Sequence, residues 1–259
     1  CRLYPLPAPG FQPEGPHCPS HRHNFSATVF LIFQLLFYII QPPTPERVKY
    51  DIFDRVNRGG TPLNKQEMRN ALYRGRCTRM LDKLCCSPEF LIATGRSINK
   101  ERMKDQYVVL RAMAFLMLHR GEFKDIPALQ YRGDIDDFLA RFMVYVNDNA
   151  PEKLIVDYEN LFIRCMQISY DLLGENGFRF SGNGIRRPIN MPLFEALSYL
   201  FSFVPEKIDY TWASRLILDI ESVKEEFDDS RYFSGNIDST TSVSFRFDRM
   251  DKIINRIQL

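Results

Sequence analysis

Phe53 and Asn57 are four residues apart, so on a helix they share a face. An amide at the end of an apolar stripe needs partners, and two readings of Asn57 stand. It reaches a nucleotide or a neighbouring strand, or it closes its helix ahead of Gly59-Gly60. Gly59-Gly60-Thr61 offers backbone N–H groups that a phosphate would accept in one reading and is a turn in the other. The turn is the stronger reading, because the Gly-Lys-Ser/Thr ending of a phosphate-binding loop is missing and no helix opens directly after it. Glu67 is either a carboxylate in a site or the acid of a capping box begun by Asn64, and the cap accounts for it without help from function.

Residues 46–84 hold ten Lys or Arg against five carboxylates, a local charge of +5. Arg58, Lys65, Arg69, Arg76 and Arg79 would form a phosphate-contacting face if the fold brings them together, and a solvated helix surface if it does not. His17, Cys18, His21 and His23 have the composition of a metal site. They sit in a proline-rich stretch with nothing to fix four ligands, so no metal is expected. Cys77, Cys85 and Cys86 lack Cys-x-x-Cys spacing and nearby histidine and read as core thiols. After residue 23 the only histidine is His119, which leaves no Ser-His-Asp or Cys-His constellation.

The elements that must position these residues are helices. Thr44-Pro45-Glu46 is a helix start, with a capping hydroxyl, Pro in the first turn and an acid near the positive end of the dipole. Val48, Ile52 and Val56 then make an apolar stripe, with Phe53 beside it, as far as about Asn57. A second helix opens at Asn64 and carries Met68, Ala71 and Leu72 to near Gly75. Further helical periodicity runs over about 77–85, 88–93, 99–119, 134–148, 151–173, 191–203, 211–227 and 241–257. Trp212 reads as a core residue of its helix.

With 259 residues and 45% hydrophobic content, the chain is large enough for a substantial core. A net charge of +2 excludes a strongly basic nucleic-acid coat and a disordered acidic tail alike. The six cysteines show no framework spacing and read as mostly buried, reduced thiols. Residues 27–40 are almost wholly apolar but shorter than the roughly 20 residues of a membrane span, and they lack the flanks of a signal peptide. Edge strands are one reading of that run, and a frame-shifted stretch upstream of a gene body is another.

The segment Ile52-Phe53-Asp54-Arg55-Val56-Asn57-Arg58-Gly59-Gly60, followed by Leu63 and by Glu67-Met68-Arg69-Asn70-Ala71, closely resembles a signature of the GmrSD-type restriction endonuclease N-terminal domain family. Arg102-Met103-Lys104-Asp105, Arg186-Arg187-Pro188-Ile189-Asn190, Leu193-Phe194-Glu195-Ala196 and Phe245-Arg246-Phe247 are similar to later pieces of the same family, so the likeness runs over about residues 39–257. It implies a ParB-like, sulfiredoxin-like α/β lobe bearing an Asp-Gly-Gln-Gln-Arg motif linked to nucleotide hydrolysis, paired in restriction enzymes with an HNH nuclease. Neither that motif nor an HNH histidine pair occurs in this sequence. The chain also opens on Cys1 rather than Met, as a trimmed, partial or frame-shifted product would.

The expected fold is therefore mainly α, a helical body with a remnant of the ParB-like lobe on its N-terminal side. Residues 1–26 are expected to be a disordered or mistranslated extension, 27–75 the lobe remnant and 76–259 the helical domain. The resemblance implies a cytoplasmic, nucleic-acid-associated protein, linked to nucleotide-dependent defence against modified foreign DNA and inactive alone. Phe53, Asn57, Arg58 and Glu67 would flank the nucleotide site. No cofactor is identifiable in this chain. A nucleoside triphosphate and a divalent metal belong to complete relatives, and DNA and a nuclease subunit or domain are the implied partners, with no membrane. The competing expectation is a non-catalytic helical interaction module that binds protein or DNA.

If a missing lobe normally covers residues 46–73, the stripes at Val48, Ile52, Val56, Met68 and Leu72 lack that cover. The isolated chain is then expected to self-associate in sedimentation or light scattering. A monodisperse monomer with a cooperative thermal transition would contradict this.

Overall fold

The computed structural model describes residue 39 and residues 46–57, 62–182, 186–207 and 209–257, with the side chains of 46, 47, 50, 57 and 231 outside that description. The chain divides into two compact units, Cys1–Gln41 and Pro42–Leu259. The run at 27–40, the stretch at 1–26 and the turn at 59–61 lie outside the described residues, apart from Ile39.

Among the described residues the second unit is all helical, with no strand. Ten α-helices follow one another: α1 (Glu46–Asn57), α2 (Lys65–Leu72), α3 (Arg76–Cys85), α4 (Pro88–Ala93), α5 (Lys104–His119), α6 (Ile135–Asp148), α7 (Glu152–Leu173), α8 (Met191–Phe201), α9 (Tyr210–Asp228) and α10 (Thr240–Ile257). Several starts carry caps written in the sequence. Asn64 accepts from the Gln66 and Glu67 N–H groups, while Glu67 takes the Asn64 N–H. Ser87 precedes Pro88, Asp134 accepts from the Asp136 and Asp137 N–H groups, and Asn190 and Asp209 cap α8 and α9.

Two helices form the centre. Residues 108–117 of α5 and 192–201 of α8 are buried without a break, as expected of helices that are apolar all round and packed on every side. α5 packs on α8, α8 on α10 and α7, and α3 and α6 close over α5. The outer helices are amphipathic by comparison. α3 buries Cys77, Met80, Leu81, Leu84 and Cys85, the spacing of a single helical face.

Arg111 of α5, Glu195 of α8 and Arg246 of α10 meet inside this apolar centre, with side chains no more than 1% exposed. One Glu195 oxygen accepts from Arg111 Nε and the other from Arg246 Nη2 at 3.0 Å. Arg111 also donates to Asp238 at 2.7 Å and to the Tyr107 hydroxyl at 3.1 Å, and Arg246 donates to the Ile237 carbonyl at 2.6 Å. The Tyr131 hydroxyl donates to the Asp238 carbonyl. The triad therefore pins three core helices and the turn at 237–238 to one another.

Three expectations are corrected. α5 begins at Lys104 rather than near 99, because Arg102 and Met103 adopt left-handed backbone angles, φ 56° and 58°, which no α-helix passes through. Cys86 is exposed, whereas Cys77, Cys85 and Cys165 are buried free thiols. Of the stripes expected to be open, Val48 and Val56 are exposed, whereas Met68 is buried and Leu72 packs against the core. Trp212 is partly buried at the core edge, its indole N–H 3.5 Å from the Ile257 carbonyl. No described helix is long and apolar enough to cross a membrane.

Glu195→Ala leaves two buried guanidiniums facing each other without their shared carboxylate. It is expected to cost about 3–5 kcal/mol in urea unfolding, the usual penalty for removing one partner of a buried ion pair. Asp238→Asn, at the more exposed rim of the network, should cost distinctly less. Equal and small losses would mean that the triad does not hold the centre together.

Candidate functional site

The local cause of the site is the break at Arg102 and Met103. Left-handed backbone at two successive non-glycine residues costs free energy, on the order of 1–3 kcal/mol each, and persists only where neighbours enforce it. Here the neighbours are at the start of α2. Arg102 donates through Nη2 to the Pro62 carbonyl at 2.7 Å and to Glu67 Oε2 at 3.0 Å, and its own carbonyl accepts from Asn64 Nδ2 at 2.7 Å. Glu67 thus has two tasks, capping α2 and holding Arg102. Both hydrogen bonds keep its carboxyl below its ordinary value of 4.5, the Arg102 side chain contributing more than the Asn64 N–H.

A cavity of about 510 Å³ opens between α2 and this break, lined among others by Lys65, Gln66, Arg69, Arg102, Lys104 and Tyr107. Arg69 is its floor. The guanidinium is 1% exposed, donates to Gln66 Oε1 at 3.0 Å and to Asp136 Oδ1 at 2.8 Å, and lies 5.3 Å from the centre of the Tyr107 ring. Among the described residues its Nη2 has no acceptor. A buried donor without a partner is costly and points to a ligand or water that completes it.

Lys65 pairs with the other oxygen of Asp136. Burial alone would raise the Asp136 carboxyl, but hydrogen bonds from Lys65 and Arg69 outweigh it and hold the group below its ordinary 3.8. Lys104 is exposed at the first position of α5 and makes no ion pair among the described residues. Asp136 and Glu67 are not among the residues that line the cavity, whose described lining carries four cations, Lys65, Arg69, Arg102 and Lys104, against one carboxylate, Glu101. The arrangement can bind an anion.

The structure brings together part of the residue set singled out from the sequence. Lys65 and Arg69 share this cavity, but Arg69 is a buried floor rather than a surface charge. Arg76 is turned away toward α7, donating to the Ala150 carbonyl at 2.9 Å and pairing with Glu152 at 3.0 Å. Arg79 is exposed on α3 and does not line the cavity. Phe53 is half-buried on α1. Arg58 and the Asn57 side chain lie outside the described residues. Arg102 and Lys104 were missed as site residues. Their signal was the Arg102-Met103-Lys104-Asp105 string itself, a charged segment at the start of a long, mainly apolar helix.

A larger cavity, about 650 Å³, lies beside α6 and has an apolar floor that includes Ile126, Leu129 and Val144. Asp51, Asp134, Asp136 and Asp137 surround it with Arg141 as the only cation, so it repels a phosphate. Among the described residues no group of His, Cys, Asp and Glu could hold a metal ion. His119 stacks on Phe247 at 3.5 Å, and burial, aided by Arg246, lowers its pKa to about 3. It is therefore a neutral ring near pH 7 and not an acid–base group. No family model, curated protein or solved structure matches the chain.

Glu67→Gln is expected to lower stability at neutral pH by about 1 kcal/mol, the ordinary worth of an N-terminal cap. The pH dependence follows from the sign of the shift. A carboxyl held lower in the folded protein adds stability above its unfolded value and loses it as pH falls through the folded one. Wild type should therefore lose more stability than Glu67→Gln on acidification below about pH 4.5. Parallel acid-unfolding curves would remove Glu67 from this account.

Proposed function

We propose that this chain is a nucleic-acid-associated helical domain of the GmrSD N-terminal kind, and that the cavity between α2 and the start of α5 takes a backbone phosphate. The observation that carries the reading is the unsatisfied Nη2 of Arg69, buried at the floor of a cavity that Lys65, Arg102 and Lys104 also line. A phosphate oxygen supplies the acceptor that this group lacks, and phosphate contacts of this kind give affinity without sequence preference.

The resemblance supports the finer parts of the proposal. It makes residues 27–75 the remnant of a ParB-like lobe in a cytoplasmic protein. In a complete relative, Phe53, Asn57, Arg58 and Glu67 would flank the nucleotide motif, and a nuclease subunit or domain would cut DNA. A second reading, a non-catalytic interaction module, is favoured by the exposed Val48 and Val56 on α1 and by the apolar cavity beside α6.

Duplex DNA binding followed by fluorescence anisotropy at several salt concentrations tests the first reading. Lys104→Ala should weaken binding at every salt concentration and make the slope of log affinity against log salt shallower by about 1, as for one lost phosphate contact. Lys104 is exposed and makes no ion pair among the described residues, so the fold should be unaffected. An unchanged slope, or no binding by wild type at low salt, would leave the interaction-module reading in its place.

A further inference from the structure

Four arginines are buried in the described structure: Arg69, Arg111, Arg179 and Arg246. Three of them face a carboxylate: Arg69 pairs with Asp136, Arg111 with Glu195 and Asp238, and Arg246 with Glu195. Arg179 is 4% exposed and makes no ion pair among the described residues. Its donors go to neutral acceptors: the Glu175 and Thr94 carbonyls at 3.3 Å, the Arg187 carbonyl and the Ser97 hydroxyl. Burial, with the like charge of Arg186 nearby, pushes its pKa below the ordinary guanidinium value. The nearby Glu175 carboxylate opposes that shift without outweighing it, and it forms no ion pair with Arg179, so this buried guanidinium is only partly compensated.

Arg179 opens on a cavity of about 590 Å³, lined also by Arg186, Arg187 and Lys224. Arg179, Arg186 and Arg187 belong to the connection between α7 and α8, and Lys224 reaches them from elsewhere in the chain. Lys224 is a residue of α9, buried, with its ammonium 2.9 Å from Glu221 and 3.5 Å from the Asn176 carbonyl. Arg186 is held by Glu175 at 2.8 Å, and Arg187 is held by Asp228 and lies over the Phe180 ring at 5.4 Å. Gly95 makes room for this cluster. At its positive φ of 58°, a Cβ would come within 2.1 Å of Arg186 Nη2. The cavity wall therefore carries four cations against two carboxylates, Glu175 and Glu221: Arg186, Arg187 and Lys224 are each paired with an acid, and Arg179 is bonded to neutral acceptors.

We infer that this cavity, between the turn at 174–182 and α9, is a second anion site, and that it takes the phosphoryl group of a small phosphorylated molecule. Its size is that of a small-molecule pocket rather than of one phosphate, so the rest of the ligand has room beside Phe180. Arg186 and Arg187 supply planar donors suited to phosphoryl oxygens, and Lys224 supplies a point charge.

Inorganic phosphate is the probe. It is titrated into wild type, Lys104→Ala, Arg186→Ala and Arg186→Lys by calorimetry, with the arginine side-chain N–H signals followed by NMR. The expected result is binding with a dissociation constant on the order of 1 mM. Lys104→Ala should retain that event, Arg186→Ala should weaken it about tenfold or more, and Arg186→Lys should fall between them. The Arg179 Nε signal should shift on titration in wild type. Arg186 is partly exposed, and equal melting temperatures of wild type and Arg186→Ala confirm that the fold is intact. The inference is overturned if no phosphate binds up to about 20 mM, or if Arg186→Ala binds as wild type does. Binding abolished by Lys104→Ala alone would place the anion in the first cavity and overturn it as well. A short DNA oligonucleotide that displaces phosphate only in an Arg186-dependent manner would identify a nucleic-acid backbone, not a small molecule, as the source of the phosphoryl group and overturn that part of the inference.

Discussion

Glu195 sits between two arginines in the most apolar part of the protein, and the arrangement of the central helices depends on that one carboxylate. A buried carboxylate is tolerable only where its oxygens are taken by good donors, and here each oxygen has a guanidinium on a different helix. α5, α8 and α10 cannot slide or rotate independently without leaving one of these charges alone in a medium of low dielectric. Apolar packing by itself would be more permissive, because leucine and phenylalanine faces offer several nearly equivalent registers. The triad and the Asp238–Tyr131 contacts single out one of them. The pieces Leu193-Phe194-Glu195-Ala196 and Phe245-Arg246-Phe247 that carry the resemblance are thus the pieces that carry this lock.

Much of the architecture was legible in the sequence because it rests on local rules. The spacing of Cys77, Met80, Leu81, Leu84 and Cys85 is a helix face however the rest folds. The Asn64–Glu67 capping box, Ser87 before Pro88 and Asp134 before Ile135 mark helix starts through bonds made within four residues. What was not legible depends on partners far along the chain. Nothing near Arg102 announces a left-handed residue, since the groups that enforce it, Pro62, Asn64 and Glu67, come from 35–40 residues earlier. Arg69 looked like one more exposed cation on a basic stretch. Its burial follows from Asp136, 67 residues on, which supplies the charge that lets it go inside.

The two cationic cavities share one piece of backbone. Gly95, Arg96, Arg102 and Met103 all have positive φ, so the connection between α4 and α5 turns sharply at both of its ends. At the first end Thr94 and Ser97 hold Arg179, and at the second Arg102 and Lys104 line the other cavity. A straight helical connection would offer neither arrangement. The strain in this segment is matched by side-chain bonds to α2 and to the turn after α7, and those bonds place the guanidiniums. Backbone strain concentrated where charged groups converge is the usual mark of a site that must stay in one geometry.

Net charge conceals this organisation. At +2 over the whole chain, the protein has no basic coat, and the cavity beside α6 is rimmed with aspartates. What separates a binding site from an ordinary mixed surface here is the state of each cation's compensation. Exposed pairs such as Arg141–Asp137 are balanced and solvated, and they leave little field. Among the described residues Arg69 keeps one donor unsatisfied, and Arg179 makes no ion pair, its bonds going to neutral acceptors. Burial amplifies both deficits, since a field that water would screen at the surface persists in a cavity. The one histidine in the described body, His119, is held neutral against Phe247. The proposed anion sites thus rest on the state of two buried guanidiniums, Arg69 and Arg179, rather than on the count of basic residues.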